Sequence, residues 1–208
     1  MTILSQILQH KIVAIIRGAN PADVLKITRA LYDGSIRLIE VTYNSPNALD
    51  LVKELSDVMG DKMLIGMGTI LNAESAKNAI NECAKFIISP NLDIETIQVT
   101  KQMGAVSIPG GYTATEIVMA HENGGDIIKV FPAPGVDYIK NIRGPLDHIP
   151  LMPTGGVTLN NVSDYFRAGA VAVGIGSDLV NTKQEVSDKY LEQLTEKAKA
   201  FVQIANSF

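Results

Sequence analysis

The sequence predicts one α/β domain, residues 1–208, folded as a (β/α)8 TIM barrel. Three observations carry this expectation. Eight short apolar runs recur about 19 to 27 residues apart, too far for hairpins but right for one strand, one crossover helix and two loops per unit. Most of these runs are apolar on both faces, as parallel strands covered on both sides must be. The polar residues that interrupt or close them fall toward their carboxyl ends, where barrel enzymes keep their working groups. A doubly wound open sheet is the structural alternative.

The elements follow in order. Residues 1–10 alternate like a short amphipathic helix and lack a basic stretch followed by a long apolar core, so they do not read as a signal peptide. The first strand runs from Val13 to Arg17. Asn20-Pro21-Ala22-Asp23 then offers a cap, a proline at the first helical position and an early acid, ahead of Val24, Ile27 and Leu31 at helical spacing. The second strand, Arg37 to Thr42, is followed by Ser45-Pro46, which repeats the device before Leu49, Val52 and Met59. After the third strand, Leu64 to Thr69, either Thr69 or Asn72 can cap the next helix, and Thr69 is favoured when read without context. The fourth and fifth strands are Phe86 to Pro90 and Ala105 to Gly110, and Thr113-Ala114-Thr115-Glu116 reads as a capping box. The sixth strand, Ile127 to Pro132, precedes the seventh, Leu151 to Gly156. Leu159, Val162 and Phe166 then form an apolar helical stripe, with Gly169 as terminator. The eighth strand, Ala172 to Ser177, leads to a closing amphipathic helix with Leu191, Leu194, Ala198, Phe201 and Ala205 on one face.

Composition narrows the function classes. A formal charge of −4 supplies no broad basic field for nucleic acid, so anionic ligands must be met locally. No window approaches the roughly 18 uninterrupted apolar residues of a membrane span. Cys83 is the only cysteine, which excludes an intramolecular disulfide and suits a reducing, cytoplasmic compartment. Its expected place is a small buried position near a helix end. His10, His121 and His148 are scattered without paired spacing, so no metal centre is expected.

Lys129 is the clearest chemical signal. It stands inside Ile127-Ile128-Lys129-Val130-Phe131-Pro132, where an ammonium group among apolar side chains loses hydration. Burial of that kind lowers a lysine pKa and leaves more free amine near neutrality. A free amine attacks a carbonyl to give a Schiff base. An edge-strand lysine reaching to water is the plain alternative.

Other strand ends supply partners. Glu40 on strand two and Lys129 on strand six both belong to even-numbered strands, which share interior layers in this fold. Glu40 is the candidate acid and base for carbinolamine dehydration and for proton transfer next to the iminium, although a carboxylate in this position could instead be a buried structural partner. Arg17 closes strand one and Thr69 closes strand three. The stretches Pro153-Thr154-Gly155-Gly156-Val157 and Gly174-Ile175-Gly176-Ser177 follow strands seven and eight, the usual phosphate cradle of the barrel. Glycines there let backbone N–H groups approach an anion.

Taken together, Ile39-Glu40-Val41-Thr42, Gly66-Met67-Gly68-Thr69-Ile70, Ile88-Ser89-Pro90-Asn91, Ile108-Pro109-Gly110, Ile128-Lys129-Val130-Phe131-Pro132-Ala133 and Pro153-Thr154-Gly155-Gly156-Val157 resemble the KDPG/KHG aldolase family, in order and over nearly the whole chain. The resemblance implies a class I, Schiff-base aldolase with no metal or other cofactor, usually assembled as a homotrimer. Its substrates would be 2-keto-3-deoxy-6-phosphogluconate or 4-hydroxy-2-oxoglutarate, with pyruvate as a product. It further implies that Lys129 is the Schiff-base lysine and Glu40 the proton shuttle. Thr69 would help hold the pyruvyl carboxylate, and Pro90 and Phe131 would line the pocket. Thr154, Gly155, Gly156, Gly176 and Ser177 would bind the distal phosphate.

One departure affects the carboxylate site. Some members of the family carry an arginine shortly after the glutamate, where this chain has Thr42-Tyr43-Asn44-Ser45-Pro46, and Asn44 cannot replace a bidentate cation. Arg17 could supply that charge from strand one. The Asn44-Ser45-Pro46 and Gly176-Ser177-Asp178-Leu179 stretches also resemble 6-phosphogalactonate aldolases, whereas Thr154-Gly155-Gly156 resembles the phosphogluconate branch. The remaining alternatives are a metal-dependent aldolase or epimerase, a phosphosugar epimerase or isomerase on the same barrel, and a noncatalytic sugar-phosphate sensor.

Overall fold

The computed structural model describes all 208 residues. A short helix, α1 (Ile3–His10), precedes an alternation of strands and helices: β1 (Ile12–Ile16), α2 (Pro21–Asp33), β2 (Leu38–Thr42), α3 (Ala48–Met59), β3 (Leu64–Gly68), α4 (Ala73–Asn81), β4 (Phe86–Ile88), α5 (Ile94–Gln102) and β5 (Val106–Ile108). The alternation continues through α6 (Ala114–Glu122), β6 (Ile128–Val130), α7 (Val136–Arg143), β7 (Leu151–Pro153), α8 (Val162–Arg167), β8 (Val173–Ile175) and α9 (Asp188–Ala205). Every strand lies inside the apolar run that predicts it or begins within one residue of it.

All pairings are parallel, and they form two arcs: a six-stranded sheet in the order β5-β4-β3-β2-β1-β8, and the pair β6-β7. Single parallel bridges, Gly110 with Lys129 and Thr154 with Gly174, join the arcs at their two seams. The ladder therefore differs from eight continuously paired strands, and prolines account for the gaps. A proline has no amide hydrogen to donate. Pro109 at the β5–β6 seam and Pro153 at the β7–β8 seam each remove a ladder bond. The bonds that remain there include Lys129 N–H to Pro109 O at 2.8 Å and Val171 N–H to Leu151 O at 3.0 Å.

Side chains alternate between the two faces of each strand. Outward residues such as Ile39, Val41, Ile128 and Val173 pack with the helices in the larger apolar cluster. Inward residues Val13, Leu38, Phe86, Val106, Ile127 and Met152 form a second cluster with Ile7 of α1, which closes the amino-terminal end of the strands. That plug leaves the carboxyl-terminal end as the open one.

Local signals set most helix starts. Asn20 Oδ1 accepts from Ala22 N–H with Pro21 at the first position of α2, and Thr113 and Glu116 form a reciprocal capping box on α6. Gly169 follows α8 with φ +95°, and its N–H donates to Phe166 O. Two expectations are corrected. Ser45-Pro46 does not open α3, which starts at Ala48 behind Asn47. Ser45 Oγ instead accepts from Gly18 N–H and bonds Thr42 Oγ1, tying the ends of β1 and β2 together. Cys83 is exposed, with φ +72°, because it occupies the left-handed turn after α4, and Ala84 takes the buried position beside it.

Candidate active site

Inward alternation raises Ile15, Glu40, Lys129 and Thr154 one level above Val13, Leu38, Ile127 and Met152 of the plug. Glu40 stands in register with Ile15 of β1 and Gly66 of β3, and Lys129 with Met152 of β7 and Gly110 beyond β5. The room for the Glu40 carboxyl comes instead from Gly68 of β3, whereas the Phe86 ring takes the space at Gly66 and the Pro90 backbone takes that at Gly110.

Both groups are withdrawn from water. Glu40 is fully buried and Lys129 is 2% exposed. Burial pushes the Glu40 carboxyl above its usual range, against the opposing pull of the Lys129 and Arg17 charges. Burial likewise pushes the Lys129 amine below its usual range, assisted by the Arg17 charge and opposed by Glu40. The pair therefore shifts toward a neutral amine beside a neutral acid. Neither Glu40 oxygen has a hydrogen-bond partner in the protein, so the two groups sense each other without direct contact. A buried carboxyl left this unsatisfied is costly as structure, and such costs concentrate at working sites.

Arg17 shares its strand face with Ile15 and is exposed at the mouth. Its carbonyl accepts a 2.7 Å hydrogen bond from Thr182 Oγ1, which ties the end of β1 to the loop between β8 and α9. Phe131, two residues beyond Lys129, is 41% exposed, and Lys129 Nζ lies 5.3 Å from its ring centroid. Pro90 is half-buried just past β4, and Gly110 packs against its carbonyl. Thr69 is half-buried with φ +58°, a conformation β-branched residues rarely adopt. It does not cap the following helix. Asn72 does so, through Oδ1 accepting from Ser75 N–H.

Arg17, Phe131, Thr154, Gly155, Gly156, Gly176 and Ser177 all line one cleft of about 760 Å³. Thr69, Pro90, Glu40 and Lys129 lie outside its lining, the last two deeper in the interior. Gly155 and Gly156 take φ of +82° and +73°, so two consecutive left-handed residues turn the chain beside the cleft. A side chain at Gly155 would press on the Phe131 ring. Thr154 Oγ1 makes only a long 3.4 Å bond to Met152 O, which leaves its hydroxyl available.

Sequence reasoning missed the opposite wall. Asp178, Asn181, Thr182 and Lys183, on the loop after β8, also line the cleft. The polar run Asn181-Thr182-Lys183 in the connection between β8 and α9 was a usable signal. The His121 and His148 rings, distant in sequence, meet edge to face at 5.9 Å through tertiary packing. No group of three or more His, Cys, Asp or Glu side chains is placed to hold a metal.

Residues 3–195 match the family model described as KDPG and KHG aldolase. The chain is 34% identical over 194 residues to the 2-dehydro-3-deoxy-6-phosphogalactonate aldolase of Escherichia coli, covering 92% of each chain. It is 31% identical over 193 residues to the 2-dehydro-3-deoxy-phosphogluconate aldolase of Haemophilus influenzae, covering 91% of each. Among solved structures, it superposes with a TM-score of 0.87 on the KDPG aldolase of Legionella pneumophila, in which pyruvate was captured as a covalent carbinolamine intermediate. That pair is 26% identical over 96% of this chain and 98% of the other.

Proposed function

The chain belongs to the KDPG and KHG aldolase family and is a carbon–carbon lyase, and from that premise we propose that it cleaves 2-keto-3-deoxy-6-phosphogluconate to pyruvate and glyceraldehyde 3-phosphate through a Schiff base on Lys129. The observation that carries this reading is the buried pair of Lys129 and Glu40 beneath a cleft lined by the glycines that follow β7 and β8.

The proposed cycle gives each of these groups a role. Substrate C1 carboxylate meets Arg17 and the Thr69 turn, and the distal phosphate meets the backbone N–H groups of the loops after β7 and β8. The neutral Lys129 amine adds to the C2 carbonyl. A protonated Glu40 gives its proton to the departing hydroxyl, and the iminium forms with loss of water. The now-deprotonated Glu40 takes the C4 hydroxyl proton, the C3–C4 bond breaks to release glyceraldehyde 3-phosphate, and the bond's electrons move into the iminium to give an enamine. Glu40 returns a proton to C3, and hydrolysis frees pyruvate and the amine. Pro90 and Phe131 line the pocket, Phe131 with its ring centroid 5.3 Å from Lys129 Nζ.

A second reading, cleavage of the phosphogalactonate epimer, is favoured by the 34% identity to the Escherichia coli phosphogalactonate aldolase. The two substrates differ at C4, and the Thr154-Gly155-Gly156 stretch, which resembles the phosphogluconate branch, supports the first reading. Shorter 4-hydroxy-2-oxoglutarate would use the same lysine without the phosphate loops. The same proposal includes a cytoplasmic homotrimer, supported by the family resemblance and by the lack of any helix long and apolar enough to cross a membrane.

Borohydride reduction in the presence of pyruvate tests the chemistry. A pyruvyl mass increment on the peptide carrying Lys129, absent in Lys129→Ala, is the expected result. An adduct on another residue, or none in the wild type, would remove Lys129 from the mechanism. Parallel kinetics on the two phosphorylated epimers decide between the two readings.

A further inference from the structure

Beyond the glycine loops, the cleft has a cationic wall that the family motifs do not include. We propose that Lys183, on the loop between β8 and α9, is a ligand of the distal phosphate and sets the preference for phosphorylated over unphosphorylated substrates. This rests on the aldolase reading above and adds a specificity residue to it.

Three observations on charge and one on anchoring carry the proposal. Arg17 and Lys183 are the only cations lining the cleft. Asp178, its one acid, is held by Lys197, whose Nζ lies 3.2 Å from Asp178 Oδ2, so the lining is left with two uncompensated positive charges. Lys183 forms no ion pair within the chain, although it is exposed and lines the same cleft as the glycine turn that would cradle an anion.

The loop that carries it is anchored. Leu179 and Val180 are buried, and their N–H groups both donate to Gly176 O at 2.9 Å. Asn181 Oδ1 accepts from Lys183 N–H at 3.2 Å, and Thr182 Oγ1 donates to Arg17 O at 2.7 Å. The backbone bearing Lys183 is thus tied to Gly176 at the end of β8 and to the backbone of Arg17 at the end of the neighbouring strand β1. One cation is left for the carboxylate end of the substrate and one for the far dianion. A charge-assisted bond to phosphate in a half-enclosed cleft is worth about a factor of ten in binding.

The test compares wild type, Lys183→Ala and Lys183→Arg on three reactions: cleavage of the phosphorylated sugar acid, cleavage of 4-hydroxy-2-oxoglutarate, and exchange of the pyruvate methyl protons. Lys183→Ala is expected to raise KM for the phosphorylated substrate about tenfold with kcat unchanged, as loss of uniform binding does. The other two reactions should keep wild-type constants, and Lys183→Arg should restore KM. An unchanged KM for the phosphorylated substrate, or equal losses on all three reactions, would overturn the proposal. Failure of the wild type itself to cleave or exchange would instead overturn the aldolase reading, and this assignment with it.

Discussion

Gly68 of β3 faces the carboxyl group of Glu40 on β2 so closely that a methyl group at Gly68 would overlap Glu40 Oε1. The seat of the carboxyl is therefore made by a missing side chain. Gly68→Ala should push the carboxyl out of line, and a misplacement of about 1 Å can cost about a hundredfold in rate. Pyruvate methyl exchange in this variant, measured with the circular dichroism spectrum unchanged, checks the point. A wild-type exchange rate would mean that the carboxyl position does not limit proton transfer.

Lys129 should react below the pH expected of an ordinary lysine. Its amine is lowered by burial first and by the Arg17 charge second. The initial rate of pyruvate adduct formation, followed by cyanoborohydride trapping across pH, should reach half its maximum below 10.5, the ordinary lysine value. A midpoint at or above that value contradicts the buried-amine account.

Glu40→Gln should slow methyl exchange and also stabilise the fold. The folded carboxyl has a raised pKa, so folding holds a proton that the unfolded chain releases above its own value of about 4.5. The penalty is absent below that pH and grows as pH rises toward the folded pKa, at roughly 1.4 kcal/mol per unit. Urea denaturation should find the variant more stable than wild type at pH 7, with the gap closing at pH 4. Equal stability at both would show that Glu40 bears no burial cost.

Arg17→Ala should raise KM for pyruvate by roughly ten- to a hundredfold, the range for losing a charge-assisted pair. It should also move the Lys129 midpoint upward, because the Arg17 charge helps to hold that amine neutral. Packing alone would not produce the second effect. If both quantities stay at wild-type values, Arg17 is only a tether for Thr182.

Phe86 fills the plug beneath the site, fully buried, with its ring against Gly66 where no Cβ could fit. Phe86→Ala should cost about 3–5 kcal/mol in urea denaturation by leaving a cavity. Activity per folded molecule should change far less. A loss under 1 kcal/mol would mean that the plug collapses onto the space.

Strand positions were legible because parallel strands buried on both faces must be apolar, and the runs from Val13 to Ser177 obey that constraint. Local caps were legible where donor and acceptor lie within one turn, as with Asn20 and with Thr113–Glu116. Ser45 and Thr69 misled because each offers a cap by sequence but is used elsewhere: Ser45 across to Gly18, Thr69 in a left-handed turn at a strand end. Cys83 misled because its hydrophobicity says nothing about the φ demanded after α4.

By itself, the sequence determined the eight-unit alternation, the inward parity that places Lys129 and Glu40 together, and the glycine loops after the last two strands. These follow from periodicity and from the position of a polar residue in an apolar run, which are local properties. The tertiary structure alone decided how far burial shifts the two ionisable groups, which lining residues share one cleft, and that Thr182 ties Lys183's loop to Arg17. Desolvation and charge coupling depend on what surrounds a group in space, and that includes residues as distant in the chain as Arg17 and Thr182.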